Sequence, residues 1–269
     1  MIENSALLLG YGAAVGVLAG GIGGVLAGLA GVGGGLIYVP LLYALMPGLH
    51  AGAALPVMVS LIGVFLTGLF SARAHWRLGH VSMSASRQLL PFLVVGAALG
   101  LWSTLRLPES LILLGLGLLD AWVAWDMGQR IRIRPGRQGQ LGLWGGPIGY
   151  LSGSLGIGGG TMLVPLLRRV VSLREAVGTA ALCGTAMAGS AALINLIVER
   201  RWDGLVADQW PFLLGALVGL VGILPFATRF SAHLHRAWPE HTVQSALRVL
   251  FMTLAAILVV SAIYTAQWH

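Results

Sequence analysis

The sequence predicts an all-α polytopic membrane protein built from two inverted repeats of about five helical segments each. Three observations predict this fold class: an apolar composition, a glycine-rich motif that occurs twice and a one-sided distribution of arginines. Hydrophobic residues make up 57% of the 269 residues and charged residues only 9%, whereas charged residues make up about 25% of a typical soluble domain. The composition therefore excludes a soluble globular protein.

The glycine-rich motif divides the chain into two similar halves. Its first copy runs from Gly31 to Pro40 and its second from Gly156 to Pro165, and both read Gly-x-Gly-Gly-Gly followed by Val-Pro. Glycines this dense break helices. We therefore assign residues 1–128 to a first membrane repeat, 129–140 to a basic cytoplasmic linker and 141–269 to a second membrane repeat.

Five apolar segments fall in each half. They cover residues 5–30, 36–46, 51–72, 87–105 and 109–127, and then 141–155, 161–171, 175–198, 209–229 and 243–265. A membrane-spanning helix needs about 20 residues, so the two segments beside the second glycine run favour a broken or re-entrant hairpin. In the first half the incoming segment is longer, and both a full span and a half-helix remain open.

The arginines predict the orientation. All sixteen basic residues are arginines. If the linker is cytoplasmic, only Arg106, Arg200 and Arg201 lie on the opposite side of the membrane. The positive-inside rule then puts both termini on the periplasmic or extracellular side. Each half makes an odd number of net crossings, so the halves are inverted, as in many secondary transporters. The net charge of +7 needs no nucleic-acid partner.

The candidate binding site lies between the two glycine-rich hairpins, whose helix ends would face each other across a pseudo-two-fold axis. Backbone N–H groups at a helix start form an anion-binding nest, aided by the positive end of the helix dipole. Thr161 adds a hydroxyl in the second copy, and Pro40 and Pro165 are candidate structural hinges. The candidate substrate-binding glycines are Gly33, Gly34, Gly35, Gly158, Gly159 and Gly160. The alternative is that the glycines serve only close helix packing.

Four further polar residues lie inside apolar segments. Ser60 and Thr185 occupy equivalent positions in the two halves and either bind substrate or bond to their own helix. Asn195 has no equivalent in the first half and is a third candidate. Asp120 is a candidate proton relay, because intramembrane carboxylates are usually functional. Alternatively, Asp120 reaches the cytoplasmic interface or pairs with an arginine.

Enzymatic and metal-dependent functions have little support. The single Cys183 excludes an intramolecular disulfide, and no histidines and cysteines have the spacing of a metal site. Neither glycine run has the Gly-Lys-Ser/Thr of a phosphate-binding loop. We therefore expect no enzyme, no cofactor and no metal.

The doubled glycine motif resembles the TauE/SafE sulfite exporter family of membrane permeases. The resemblance includes Ala51 and Ala176, and the Gly-Ala-x-x-Gly sequences that begin at Gly96 and Gly215. It implies a bacterial inner-membrane transporter of sulfite, sulfonates or related organosulfur or carboxylate anions. Because Thr161 follows only the second glycine run, we expect an asymmetric site.

The expected partners are a small anion and the lipid bilayer, and a homodimer and a coupling ion, a proton or sodium, remain open. The alternative function is a membrane-embedded binding or assembly subunit.

Overall fold

The computed structural model describes residues 2–30, 34–46, 52–126, 141–237 and 240–267, and all regular secondary structure in these ranges is α-helical. The helices are α1 Ile2–Ala30, α2 Gly35–Leu45, α3 Ala54–Arg77, α4 Met83–Thr104, α5 Glu109–Asp126, α6 Leu141–Leu155, α7 Gly160–Leu167, α8 Leu173–Val198, α9 Arg201–Ala237 and α10 Glu240–Gln267. Six are long and apolar enough to cross a membrane, namely those with the segments Ser5–Leu26, Ala54–Arg77, Met83–Thr104, Arg174–Val198, Gln209–Ala227 and Ser245–Gln267. The all-α polytopic membrane class is thus confirmed. The linker 129–140 lies outside the described residues.

Each predicted apolar segment contains a helix, but the lengths differ between the halves. The first glycine run follows α1, a helix of 29 residues, part of which is long and apolar enough to span a membrane. The second follows α6, which has 15 residues, and precedes α7, which has eight. The two copies also differ later, since Gly79 ends a turn with φ +70° while its counterpart Gly204 lies within α9.

Glycines bring α1 against α9 and α4 against α6. A Cβ on Gly12 would overlap the carbonyl oxygen of Phe212, and one on Gly215 would overlap that of Leu9. In the second pair, a Cβ on Gly96 would overlap the carbonyl oxygen of Gly146. Small residues allow such approach between membrane helices. The Gly-Ala-x-x-Gly sequences therefore serve helix packing in both halves.

The remaining helices form a centre and a flank. Helices α3 and α8 pack on each other, where a Cβ on Gly68 would overlap the Thr185 hydroxyl. Helix α5 packs along α10, where a Cβ on Gly117 would lie 2.9 Å from the Val259 side chain. The two short helices α2 and α7 pack against α3 and α8, respectively.

Polar contacts tie the helix ends together. The Tyr43 hydroxyl donates to Glu109 at the start of α5, and Arg168 after α7 pairs with Asp126 at the end of α5 at 3.1 Å. A separate pair joins the loop after α4 to the end of α8.

In that separate pair, Arg106 donates to Glu199 at 2.9 Å and stacks over the Trp102 ring at 3.6 Å. The hydrogen bond from Arg106 holds the pKa of the Glu199 carboxyl below its ordinary value. Its contribution to stability is therefore present at neutral pH and is lost as the pH falls through that lowered pKa.

Candidate functional site

The second glycine run begins with a helix cap. Gly156 has φ +69°, and the backbone N–H of Ile157 donates to the carbonyl oxygen of Ser152 at 3.0 Å. This 6→1 bond with a left-handed residue is the Schellman arrangement that ends many helices. The Ser60 hydroxyl of α3 donates to the Gly156 carbonyl at 2.6 Å. The cap therefore fixes where α6 stops and holds the run against α3.

The first glycine run lies directly against this cap. A Cβ on Gly35 would lie 2.8 Å from the Gly156 carbonyl oxygen, 2.8 Å from the Ile157 Cα and 2.9 Å from the Gly158 nitrogen. Real Cβ atoms essentially never approach so closely. The structure thus brings Gly35 of the first run against Gly156 and Gly158 of the second, backbone against backbone.

The N-termini of α2 and α7 point towards each other. The far end of α2 lies beside the start of α5, through Tyr43 and Glu109. The far end of α7 lies beside the end of α5, through Arg168 and Asp126. At 1.5 Å per residue, α2 and α7 are about 16 and 12 Å long, and α5 is about 27 Å long. The lengths of α2 and α7 together match the length of α5, as expected for two short helices that start at one place and end at opposite ends of α5.

Neither of these N-termini is capped by a described side chain. The N-cap residues are Gly34 in α2 and Gly159 in α7, and no side chain hydrogen-bonds to either first turn. By contrast, Ser82 caps α4, and Ser172 forms a capping box with Glu175 in α8. The first N–H groups of a helix need partners outside the helix. The two short helices therefore lack the side-chain caps that α4 and α8 have.

A side chain one turn later covers each N-cap glycine. A Cβ on Gly34 would overlap the Tyr38 ring, and one on Gly159 would lie 2.7 Å from a terminal methyl of Leu163. The φ angles of the two glycines are −61° and −53°, so they are not needed for a left-handed backbone. They leave room for these side chains. Gly33 lies outside the described residues.

Tyr38 occupies a space bounded by glycines of two other elements. Its ring is 1% exposed, and a Cβ on Gly23 of α1 would overlap it. A Cβ on Gly63 of α3 would lie 3.7 Å from it. Seven of the eleven residues of α2 are buried, against three of the eight in α7. The first short helix is therefore the more tightly enclosed.

The predicted hydroxyl residues have different surroundings. Thr161 is 3% exposed and donates weakly to the Gly158 carbonyl at 3.5 Å, within the second run. Ser60 contacts the same run through its bond to Gly156. Thr185 donates to Ala181 of its own helix at 2.7 Å, the alternative that the sequence left open. As substrate ligands, all three stay predictions.

The structure does not bring Asn195 to the glycine runs. Its side-chain amide donates to the carbonyl oxygens of Ala98 at 2.9 Å and Ala191 at 3.0 Å, which joins α8 to α4. Gly184 is the residue of α8 that approaches Gly159, and Asn195 lies eleven residues further, about 16 Å along the helix. A direct role in binding stays a prediction with no geometric support.

Pro40 and Pro165 lie at the sixth position of α2 and of α7. A proline there removes the hydrogen bond to the carbonyl four residues earlier, which belongs to Leu36 in α2 and to Thr161 in α7. A freed carbonyl in the first turn weakens the helix close to the glycine run. Their role as hinges stays a prediction.

Asp120 is buried in α5. The residue is 0% exposed, and neither carboxyl oxygen has a hydrogen-bond partner among the described residues. Its helix packs along α10 and touches the end of α6, where Gly115 meets Leu155. Asp126, one and a half turns later, pairs with Arg168. Asp120 therefore lies in the interior and does not share that pair.

Comparison with known proteins agrees with this architecture. The model of the sulfite exporter TauE/SafE family matches residues 15–264. The chain belongs to this family. Its members are membrane transporters and not enzymes, and the resemblance inferred from the glycine motif is confirmed.

Two curated relatives have compatible names. A probable membrane transporter protein of Haemophilus influenzae is 28% identical over 256 residues, covering 90% of this chain and 95% of that protein. One of Methanocaldococcus jannaschii is 28% identical over 159 residues, covering 56% of this chain and 60% of that protein. No solved structure matches the chain. Family and relatives together identify a multi-pass membrane transporter.

Sequence reasoning missed two residues that shape the site. Tyr38 lies in the apolar segment 36–46 and was assigned no role, although it fills the space beside Gly34. Gly184 was not singled out, although a Cβ there would lie 3.2 Å from the Gly159 nitrogen. For Gly184, its place next to Thr185 in the helix after the second hairpin was the available signal.

Proposed function

We propose that the protein is a secondary transporter of small anions, with sulfite and sulfonates as the expected substrates and related carboxylates as further candidates. The anion binds between the N-termini of α2 and α7. The carrying observation is that these two N-termini converge, are buried and have no capping side chain. The name of the family, sulfite exporter, supports the substrate class.

Electrostatics favours an anion at this place. The N-terminus of a helix carries a partial charge of about +0.5, so two converging N-termini repel each other unless something negative lies between them. The chain contains no lysine. An anion would therefore be held by backbone N–H groups and by the hydroxyl of Thr161. Such a site suits transport, because a ligand held without a salt bridge is released more easily.

Packing alone accounts for several of the glycines. Gly156 ends α6, and Gly35 and Gly158 each approach a neighbour too closely for a side chain. The alternative of a binding or assembly subunit draws on these contacts. The uncapped N-termini distinguish the two functions. Close packing explains the small residues, but it gives the first N–H groups of α2 and α7 no partners, whereas a bound anion would.

The pairing of the helices supports the same function, because it fits an inverted two-fold relation between the halves. Helix α1 packs on α9, and their counterparts α6 and α4 pack on each other. The pairs of α3 with α8 and of α5 with α10 each join counterparts. If each helix is replaced by its counterpart in the other half, the same set of helix pairs results. We propose that α6 and α7 form a re-entrant hairpin, because both are shorter than a membrane span.

Asp120 is the proposed coupling residue. An ionised carboxylate without a partner is costly in a protein interior, and intramembrane carboxylates are usually functional. The described ionisable side chains on the two packed helices are Arg248 and Tyr264 of α10 and Tyr150 of α6. None of them hydrogen-bonds to Asp120. A change of conformation that admits water to Asp120 would release its proton.

Flux into proteoliposomes tests the function. The purified full chain is reconstituted alone, and uptake of sulfite, methanesulfonate, acetate and chloride is measured with an imposed anion gradient. We expect saturable uptake of at least one sulfur-containing anion and competition between related anions. Vesicles that are sealed and show no saturable flux for the whole panel would favour the assembly subunit.

A further inference from the structure

A cavity opens between α3 and α8, away from the glycine runs. It has a volume of about 530 Å³, within the range of about 300–1,000 Å³ that ligand sites have. Most of its lining is apolar and two arginines stand at one end of α3. It is lined by Phe65, Leu69, Ala72, Arg73, Trp76, Arg77, Leu182, Thr185 and Ala186. We call it the α3–α8 groove.

The groove is separate from the proposed anion site. On α8, Leu182 and Ala186 line the groove and lie two residues before and after Gly184, which approaches Gly159. At about 100° per residue, two residues turn by about 200°, so their side chains are about 160° apart round the helix axis. The groove and the glycine run therefore lie on opposite sides of α8.

Helix α3 gives the same result. Ser60 hydrogen-bonds to the second glycine run, and Val64 lies against Gly158. Leu69 and Arg73 line the groove and are each nine residues further along, which is about half a turn round the helix. The α3–α8 pair thus separates the groove from the site.

The arginines of the groove have no acidic partner in the described part of the chain. Arg73 and Arg77 are four residues apart on α3, so they lie one above the other, and neither is in an ion pair. Trp76 between them is 51% exposed, as is common at a membrane interface. By the arginine distribution, this end of α3 faces the cytoplasm.

We propose that the α3–α8 groove binds an anionic phospholipid of the cytoplasmic leaflet. The two guanidinium groups hold the phosphate by charge-assisted hydrogen bonds, and an acyl chain lies along Phe65, Leu69 and Leu182. Basic pockets between transmembrane helices on this side bind such headgroups. The lipid stabilises the packing of α3 on α8, the central contact of the fold.

The test measures lipid binding to the full chain in detergent. Phosphatidylglycerol, phosphatidylcholine and glycerol 3-phosphate are titrated separately, with the unfolding temperature and native mass spectrometry as readouts. We expect a saturable increase in unfolding temperature and a retained lipid with phosphatidylglycerol only. Arg73→Gln with Arg77→Gln should weaken its affinity on the order of tenfold per arginine, the usual effect of losing a hydrogen bond to a charged group.

Two further variants sharpen the test. Arg87→Gln with Arg174→Gln removes the same charge from the same face outside the groove, and it should keep full affinity. Ala186→Phe keeps both arginines but fills the groove, and it should weaken binding. Equal binding of both phospholipids, or an equal loss in the control pair, would overturn the proposal. The proposal would also be overturned if glycerol 3-phosphate, which has no acyl chain, stabilised the protein to the same extent. It would equally be overturned if the double arginine variant changed only the oligomeric state and not the lipid affinity.

Discussion

Replacing Gly35 tests how closely the two glycine runs must approach. In Gly35→Ala the new Cβ would lie 2.8 Å from the Gly156 carbonyl oxygen, whereas ordinary contact begins at 3.4 Å. The backbones must therefore separate by the difference, about 0.6 Å. Gly156 cannot yield easily, because the helix cap and the Ser60 hydroxyl hold it. Relief requires α2 to move away from the second run.

The substitution is expected to weaken both folding and binding. Overpacking costs about 1–3 kcal/mol, and the preference of helices for alanine over glycine offsets up to about 1 kcal/mol. An anion held by both runs loses its contacts to one of them, at about 1.5–3 kcal/mol per hydrogen bond to a charged group. We therefore expect the dissociation constant of sulfite to rise by about tenfold to a hundredfold.

Thermal unfolding with and without sulfite measures both quantities, since a ligand that binds only the folded protein raises its stability by mass action. Gly222→Ala is the matched control, because nothing lies within 4 Å of a Cβ at that position in α9. It should keep the affinity and the flux of the wild type. A folded Gly35→Ala protein that binds and carries sulfite like the wild type would refute the reasoning.

Three further predictions follow from single features. Gly34→Ala should lower the unfolding temperature more than Gly159→Ala does. The new methyl group at position 34 meets an enclosed aromatic ring, whereas the one at position 159 meets a methyl group that can rotate away. Equal shifts in scanning fluorimetry would contradict this. Asp120→Asn should retain anion exchange in proteoliposomes and lose accumulation driven by a pH gradient, and unchanged accumulation would exclude Asp120 as the coupling residue. In a cysteine-free background, His80→Cys and Arg200→Cys should react with an impermeant reagent from opposite sides of the membrane, and labelling from one side would contradict the proposed topology.

The sequence predicted much of the fold, because membrane helices are marked by long apolar segments. All ten segments contain a helix, although α9 starts eight residues earlier than its apolar segment. The contact between the two glycine runs was also predicted, since repeated breaks in matching positions point to one place in the bilayer. The twelve-residue cytoplasmic linker and the orientation of the termini stay predictions.

The details of the site depend on contacts that no local pattern encodes. The sequence could not tell a glycine that caps a helix, such as Gly156, from one that makes room for a neighbour, such as Gly34. Nor could it separate Asn195 from the runs without knowing that Gly184 is the nearest point of α8. Tertiary packing decides which face of a helix meets which partner.

The unequal enclosure of α2 and α7 has a consequence for the transport cycle. Tyr38 fixes α2 among glycines of two other helices, and most of α2 is buried, whereas Leu163 and the shorter, more exposed α7 leave the second half freer to move. The barrier to displacing α7 is therefore the lower of the two. We expect release towards the side reached by α7 to be the faster step. The maximal rates of influx and efflux should therefore differ when each is measured with the same anion concentration on the side of origin and none on the other side.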